Sequence, residues 1–270
     1  MSTAVERWAT ALQGWGIPDH IIRQAPQSPW IHPVASFRPS GDLHVDTPSR
    51  HRALEALAAA GSNPSVLDVG CGGGRAAFGL VPPATSVVGV DHQQSMLDVF
   101  AAEAAARGVE CRTVLGDWPD VGSITPVCDV VTCHHVFFNV ARLDEFALAL
   151  SRHARRRVVV EMPVRHPLTH LTDAWRHFWQ LERPTTPTVD DALAVLAEAG
   201  LDVRHERFTI ASTDGAGGTV TDLDVEHMRI RLCLPADRDA EVREFLEHRN
   251  PPPRELAALW WDTPGEPPAA

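Results

Sequence analysis

The stretch Val66-Leu67-Asp68-Val69-Gly70-Cys71-Gly72-Gly73-Gly74-Arg75 decides the fold. An apolar strand breaks into a glycine-rich turn, and the turn opens a helix. Glycine carries no side chain and tolerates positive φ, so such a turn lets backbone approach a ligand closely. The next strand, Val87-Val88-Gly89-Val90-Asp91, ends in an acid 21 residues after Gly70. A carboxylate there can accept hydrogen bonds from both hydroxyls of a ribose. Asp68 sits inside the end of the first strand, where its charge repels a pyrophosphate.

Outward from this turn, strand and helix patterns alternate, which predicts a parallel sheet covered on both faces. Strands are expected over 65–70, 86–91, 109–116, 128–135, 157–163, 202–210 and 255–261, most of them β-branched runs bounded by Gly, Pro or Asp. Helices are expected over 74–81, 94–107, 141–154 and 189–199, the last begun by Thr188 or Asp190 and closed by Gly200. Three segments interrupt the alternation. Residues 1–60 hold helical patterns at 3–13 and 48–60 around a Pro/Trp-rich stretch at 26–39. Residues 164–187 insert an aromatic, His-rich pattern, and 211–252 start at the glycine-rich Asp214–Gly218 and continue as helical patterns at 222–234 and 238–248. The division expected is a cap over the site from 1–60, a ligand-binding domain from 61–262 with these two insertions, and a flexible tail at 263–270.

All these motifs together resemble the class I S-adenosylmethionine (SAM)-dependent methyltransferases. The family's Leu-Asp-x-Gly-x-Gly-x-Gly is matched from Leu67 to Gly74, and Asp91 closes the second strand. Asp117-Trp118 follows the third strand, Cys128–Val136 matches the fourth, and Asp91–Leu97 is similar to the family's Asp-x-Ser-x-x-Met-Leu with Gln in place of Ser. The resemblance covers about residues 61–210 and a closing strand near 255–261. It implies a Rossmann-like α/β fold with a mostly parallel seven-stranded sheet and SAM as cofactor. It further implies that Gly70, Cys71, Gly72 and Gly74 pass under the ribose and methionine portion. Asp68 then holds the methionine ammonium, directly or through water, and Asp91 the ribose hydroxyls. His92 and Met96 lie beside the adenine, Asp117 accepts from its amino group, with Gly116 also among the cofactor-binding residues, and Trp118 packs on its ring or offers its backbone N–H. His134 approaches the methionine carboxylate or the incoming nucleophile.

The acceptor is read separately, as a small or medium-sized molecule methylated on oxygen or nitrogen. A base near such an acceptor is sought first at His134, then at His166 or Glu161. Neighbouring residues on a strand face opposite ways, so at most one of His134 and His135 faces the cleft. The pocket expected combines the N-terminal Trp15, Trp30 and Phe37, the fourth-strand end with Phe137 and Phe138, and His170 and Trp179 of the first insertion. The competing arrangement packs Trp15, Trp30 and Trp179 together as a second core.

Composition bounds the rest. Lys plus Arg is 24 against 35 for Asp plus Glu, and a net charge of −11 counts against nucleic-acid partners. The one basic run, Arg152–Arg157, is expected at a solvated helix end. Five cysteines with no Cys-x-x-Cys pair suggest a reducing compartment and no metal site. No apolar run reaches the ~20 residues of a membrane span, and the N-terminus lacks a secretory pattern, so a cytoplasmic monomer or homodimer is expected. Two alternatives remain. Gly72, Gly74 and Ala77 fit a shifted dinucleotide fingerprint of an NAD-dependent oxidoreductase, and a non-catalytic SAM-fold binding module shares the same motifs.

Overall fold

A computed structural model describes residues 2–29, 41–210, 220–249 and 253–264. Seven strands form one sheet in the order β3-β2-β1-β4-β5-β7-β6: β1 Ser65–Val69, β2 Ser86–Asp91, β3 Glu110–Leu115, β4 Cys128–His134, β5 Ala154–Pro163, β6 Arg204–Ile210 and β7 Arg254–Asp262. Only β7 runs against its neighbours. The strand order reverses between β1 and β4, and in an open α/β sheet such a reversal leaves a crevice beyond the C-terminal strand ends.

Nine of the helices matter for position: α1 Ala4–Gln13, α2 Asp19–Ile22, α3 Pro48–Ala58, α4 Arg75–Phe78, α5 Gln94–Arg107, α6 Leu143–Arg152, α7 Thr172–Trp179, α8 Val189–Glu198 and α9 Asp222–Arg231; a further one, α10, spans Asp239–Glu247. Their starts follow local chemistry. Thr3 with Glu6, Thr188 with Asp191 and Thr221 with Asp224 each form reciprocal capping boxes. Thr47 caps α3 and Pro48 fills its first turn, where a missing N–H costs nothing.

Strand alternation sorts the sheet into two faces. Val66, Val87, Val130, Val159 and Trp260 pack with Leu57, Phe78, Leu97 and Phe100 beneath α3, α4 and α5. Leu67, Val69, Val131, Val158, Val160 and Trp261 pack with Trp8, Phe146, Leu150 and Leu196 beneath α1, α6 and α8. A third cluster joins Ile21, Leu171, Trp175, Val225, Met228, Leu232 and Val242, so α2 and both insertions share a small core of their own.

Two expectations need correction. The helix after the glycine turn holds only Arg75–Phe78, not 74–81, because Pro82 and Pro83 cannot donate to a continuing helix. Of the basic run only Arg152 lies in the last turn of a helix. Helix α6 stops at Arg152 and β5 starts at Ala154, so Arg155–Arg157 are strand residues. Arg157 pairs with Asp262 at 2.7 Å and Glu55 at 3.1 Å, while Arg155 and Arg156 lie 3.9 and 3.8 Å from Asp129. These three acids and three arginines line an open hollow of about 450 Å³ at the opposite end of the sheet from the crevice, together with Ala56 and Ala59.

Gly70 shows how tightly the turn is built. Its φ is +69°, and a Cβ there would lie 2.4 Å from Val136 Cγ2 in the loop after β4. Gly70→Ala is therefore expected to cost about 1–3 kcal/mol of stability from backbone strain plus overpacking. Thermal unfolding checks this, and a melting temperature equal to the parent's rejects the close approach.

Candidate active site at the ends of β1, β2, β4 and β5

The glycine turn is fastened before any ligand arrives. Gly70 and Cys71 donate backbone N–H groups to Val90 O at 2.8 and 3.0 Å. Asp91 Oδ2 accepts from Gly72 N–H at 2.9 Å and Oδ1 from Gln93 N–H at 2.9 Å. Gly116 N–H donates to Asp91 O at 3.0 Å, which ties the end of β3 to the same point. Asp91, Gly72, Gly116 and the turn are thus one hydrogen-bonded unit.

Asp68 works from below. Its carboxylate is buried, accepting from Thr132 Oγ1 at 3.0 Å and from Ala77 N–H at 3.3 Å. Burial raises its pKa to about 7 despite those two hydrogen bonds, and Asp91 adds to the rise. With both oxygens engaged, Asp68 positions the turn and the start of α4. Burial, with Asp68 and Asp91 nearby, pushes the Cys71 thiol well above its usual pKa, so Cys71 contributes packing and backbone.

Around the rim, His92 and Asp117 are exposed and Met96 is buried. Trp118 packs against the core under α6, its Nε1 donating to Phe146 O at 3.4 Å and its ring edge-on to His153 at 4.7 Å.

On the other side of the reversal, register places Asp68 beside Thr132 and His134 beside Glu161. These four share the sheet face that α3 covers. His134 is turned inward, and burial holds its pKa down at about 4 although Glu161 pulls it up. Its Nε2 is a buried polar atom with no partner among the described residues. His135 leaves the strand with φ +61°, half-exposed, its Nε2 3.4 Å from Glu161 Oε1. Glu161 also accepts a short hydrogen bond from Ser49 Oγ at the start of α3. Burial alone would raise Glu161, but His135, His134 and Ser49 outweigh it and hold it at about 2.

His166 stands elsewhere, within an aromatic run. Trp8 stacks on Phe138 at 5.5 Å, Phe138 meets His166 edge-on at 5.2 Å, and His166 lies flat on Trp15 at 4.0 Å. Arg183 continues the run, 5.3 Å from the Trp15 ring and 5.4 Å from Trp175, and donates to the carbonyls of Trp15 and Gly16. Burial, with Arg183 close by, lowers His166 to about 4, and its Nδ1 accepts from Leu168 N–H at 3.2 Å. A histidine so stacked and so weakly basic serves as a wall.

Comparison with known proteins gives this geometry its context. A family model described as "Methyltransferase domain" matches residues 66–157. Nocamycin O-methyltransferase of Saccharothrix syringae is 32% identical over 208 residues, which is 73% of this chain and 67% of that protein. The chain belongs to the class I SAM-dependent methyltransferases. Cypemycin N-terminal methyltransferase of a Streptomyces species is 34% identical over 125 residues, 46% of this chain and 47% of that protein. The fold of this methyltransferase is also that of the YcgJ protein from Bacillus subtilis, with a TM-score of 0.53 at 17% identity, covering 80% of this chain and 97% of that one.

Sequence reading named the glycine turn, Asp91, His134 and Glu161, which the structure gathers at the C-terminal ends of β1, β2, β4 and β5 of this methyltransferase. It missed Ser49, which stands 112 residues from Glu161, and Arg183. It named His135 only as the neighbour of His134. Trp179 belongs to the insertion core, with Nε1 donating to Leu232 O at 2.7 Å, whereas Trp15 stays on the aromatic run. Trp30, Phe37 and Asp214–Gly218 lie outside the described residues.

Proposed function

We propose that this methyltransferase takes its methyl group from SAM and delivers it to oxygen or nitrogen of a small or medium-sized acceptor. The arrangement of Asp91 carries the reading. Each of its oxygens has accepted one backbone N–H, which leaves lone pairs for the two hydroxyls of a ribose. The residues fit the cofactor in two further respects. The turn at Gly70–Gly74 presents no side chain beyond Cys71 to the space above it, and the orphaned His134 Nε2 supplies a buried donor or acceptor on the β4 side. When bound, SAM supplies a methyl carbon already made electrophilic by its sulfonium.

The chain's own residues then have three tasks. Asp91, Gly72 and Gly116 fix the nucleoside end, with His92, Met96, Asp117 and Trp118 around the base. Asp68 and Thr132 hold the turn from beneath, and Asp68 meets the methionine ammonium directly or through water. The aromatic run from Trp8 to Trp15 excludes water on the acceptor side, and alignment in a dry cleft supplies most of the acceleration such a transfer needs. Relatives named for an O-methyl and an N-methyl transfer support an acceptor of either kind. Membership of this family leaves the dehydrogenase alternative without support.

Calorimetric titration tests the reading. Saturable binding of SAM or S-adenosylhomocysteine (SAH) with no heat from NAD is expected; saturable NAD binding without a SAM signal rejects it.

A further inference from the structure

We propose that His135 is the base that takes the acceptor's proton, positioned by Glu161 and Ser49, and that the acceptor is a weakly acidic hydroxyl, a phenol or an enol. The inference deepens the methyltransferase reading above and rests on it.

His135 is held to one partner at both ends. Its backbone N–H donates to Glu161 O at 2.7 Å, and its ring Nε2 faces Glu161 Oε1 at 3.4 Å. A non-glycine residue at φ +61° is uncommon and strained, and such positions persist where the surroundings over-determine them. Here the strain turns the ring out of the sheet and over the carboxylate. That carboxylate is itself fixed from the far side by Ser49 Oγ, whose oxygen lies 3.0 Å from Thr47 Oγ1 at the N-terminus of α3. The next residue, Val136, touches Gly70 of the cofactor turn. The base is therefore one residue from the loop that would lie under SAM.

The other histidines offered for this task are poorly suited. His134, with its Nε2 buried, and the buried His166 are weakly basic, and His166 spends Nδ1 on a backbone N–H. His135 has Nε2 directed at Glu161, which leaves Nδ1 to accept a proton, and half of its side chain remains exposed for handing that proton on.

The chemistry selects a hydroxyl. A neutral amine that gains a methyl keeps the positive charge on nitrogen and needs no base during transfer. A hydroxyl oxygen that gains a methyl must lose its proton. As the O–C bond forms, the S–C bonding pair stays on sulfur and gives a neutral thioether. The O–H pair stays on oxygen and the proton passes to His135 Nδ1. The positive charge thus moves from sulfur to the imidazole ring, where the ionised Glu161 stabilises it. Proton transfer is most efficient when the acid is not far weaker than imidazolium, which favours phenols and enols over alkyl alcohols.

The test uses the full chain, labelled SAM and a probe set of small phenols, enols and alkylamines, with SAH calorimetry alongside. Transfer to a phenol or enol is expected. His135→Gln should lower kcat at least 100-fold while KM for SAM and SAH affinity hold. Glu161→Gln should lower kcat about tenfold while KM for SAM and SAH affinity hold, and Glu161→Asp, which keeps a carboxylate, should retain more of kcat than Glu161→Gln. The groups acting on that ring are Glu161 from β5 and His134 from β4, with the Ser49 and Thr47 hydroxyls of the α3 start behind Glu161. Ser49→Ala should lower kcat by less than Glu161→Gln does. Transfer to amines alone, no transfer to any hydroxyl probe, His135→Gln within threefold of the parent, or Glu161→Gln with the kcat of the parent overturns the proposal. The near-isosteric Glu161→Gln keeps the test open if His135→Gln does not fold. Failure of the parent to bind SAH defeats the underlying reading instead.

Discussion

Replacing Asp91 with alanine is expected to weaken SAM and SAH binding by about 2–4 kcal/mol, roughly 30- to 1,000-fold. Two losses combine. The ribose hydroxyls lose a charged acceptor, and hydrogen bonds to charged groups are worth about 1.5–3 kcal/mol each without adding fully. Gly72 and Gln93 also lose the carboxylate that holds their N–H groups at 2.9 Å, so the turn must be ordered by the ligand instead of beforehand. Asp91→Asn keeps one acceptor oxygen and should fall between parent and alanine. Calorimetry with SAH, beside a melt to confirm folding, measures both. Undiminished affinity in a folded Asp91→Ala protein removes Asp91 from the ribose site.

The second large effect concerns acid. His134 and His166 each have a pKa lowered from 6.5 to about 4, so both stay neutral in the folded chain where the unfolded chain is protonated. Their stabilising contribution is complete above pH 6.5 and is lost as pH falls towards 4. Asp68 acts with the opposite sign. Its pKa rises from 3.8 to about 7, so the folded chain keeps a proton that the unfolded chain releases, and its cost shrinks as pH falls through the same window. Near pH 5 the three groups leave a net uptake of about one proton on unfolding, a slope of roughly 1.4 kcal/mol per pH unit. Asp68→Asn removes the opposing group and should double that slope, for a loss on the order of 5 kcal/mol between pH 6.5 and 4.5. Glu161, held at about 2, adds its own loss only below about pH 4.5. Denaturant unfolding across pH in the two proteins decides the matter; parallel curves would falsify the buried pairing of signs.

The sequence carried the glycine-turn side of the crevice because that side is local. Residues 65–118 supply β1, the turn, Asp91 and the end of β3 in order, and glycine's backbone freedom is written in the residue itself. All seven strands lie within a few residues of their expected positions for the same reason. The acceptor side is assembled from distant pieces. Nothing in alternation alone says whether His134 or His135 turns outward, since the answer depends on one backbone angle at the strand end. Ser49 meets Glu161 only because α3 crosses β5, a tertiary fact with no local signature. The arginine run misled because three cations beside a helix end look like a cap, whereas Asp129, Glu55 and Asp262 draw them into the strand.

The place of β7 between β5 and β6 bears on how the chain is made. Among the described residues it is the last strand in sequence, yet the only bridge from β6 to the rest of the sheet. During synthesis β1 to β5 can pair as they emerge, but β6 must wait with both edges open until residues 254–262 leave the ribosome. Open strand edges are templates for wrong partners, so this interval is when a nascent chain is most exposed to aggregation. A chain interrupted before Arg254 keeps the whole cofactor turn in its sequence and still presents two unsealed edges. Its fate is decided by a chaperone or a protease rather than by its binding site.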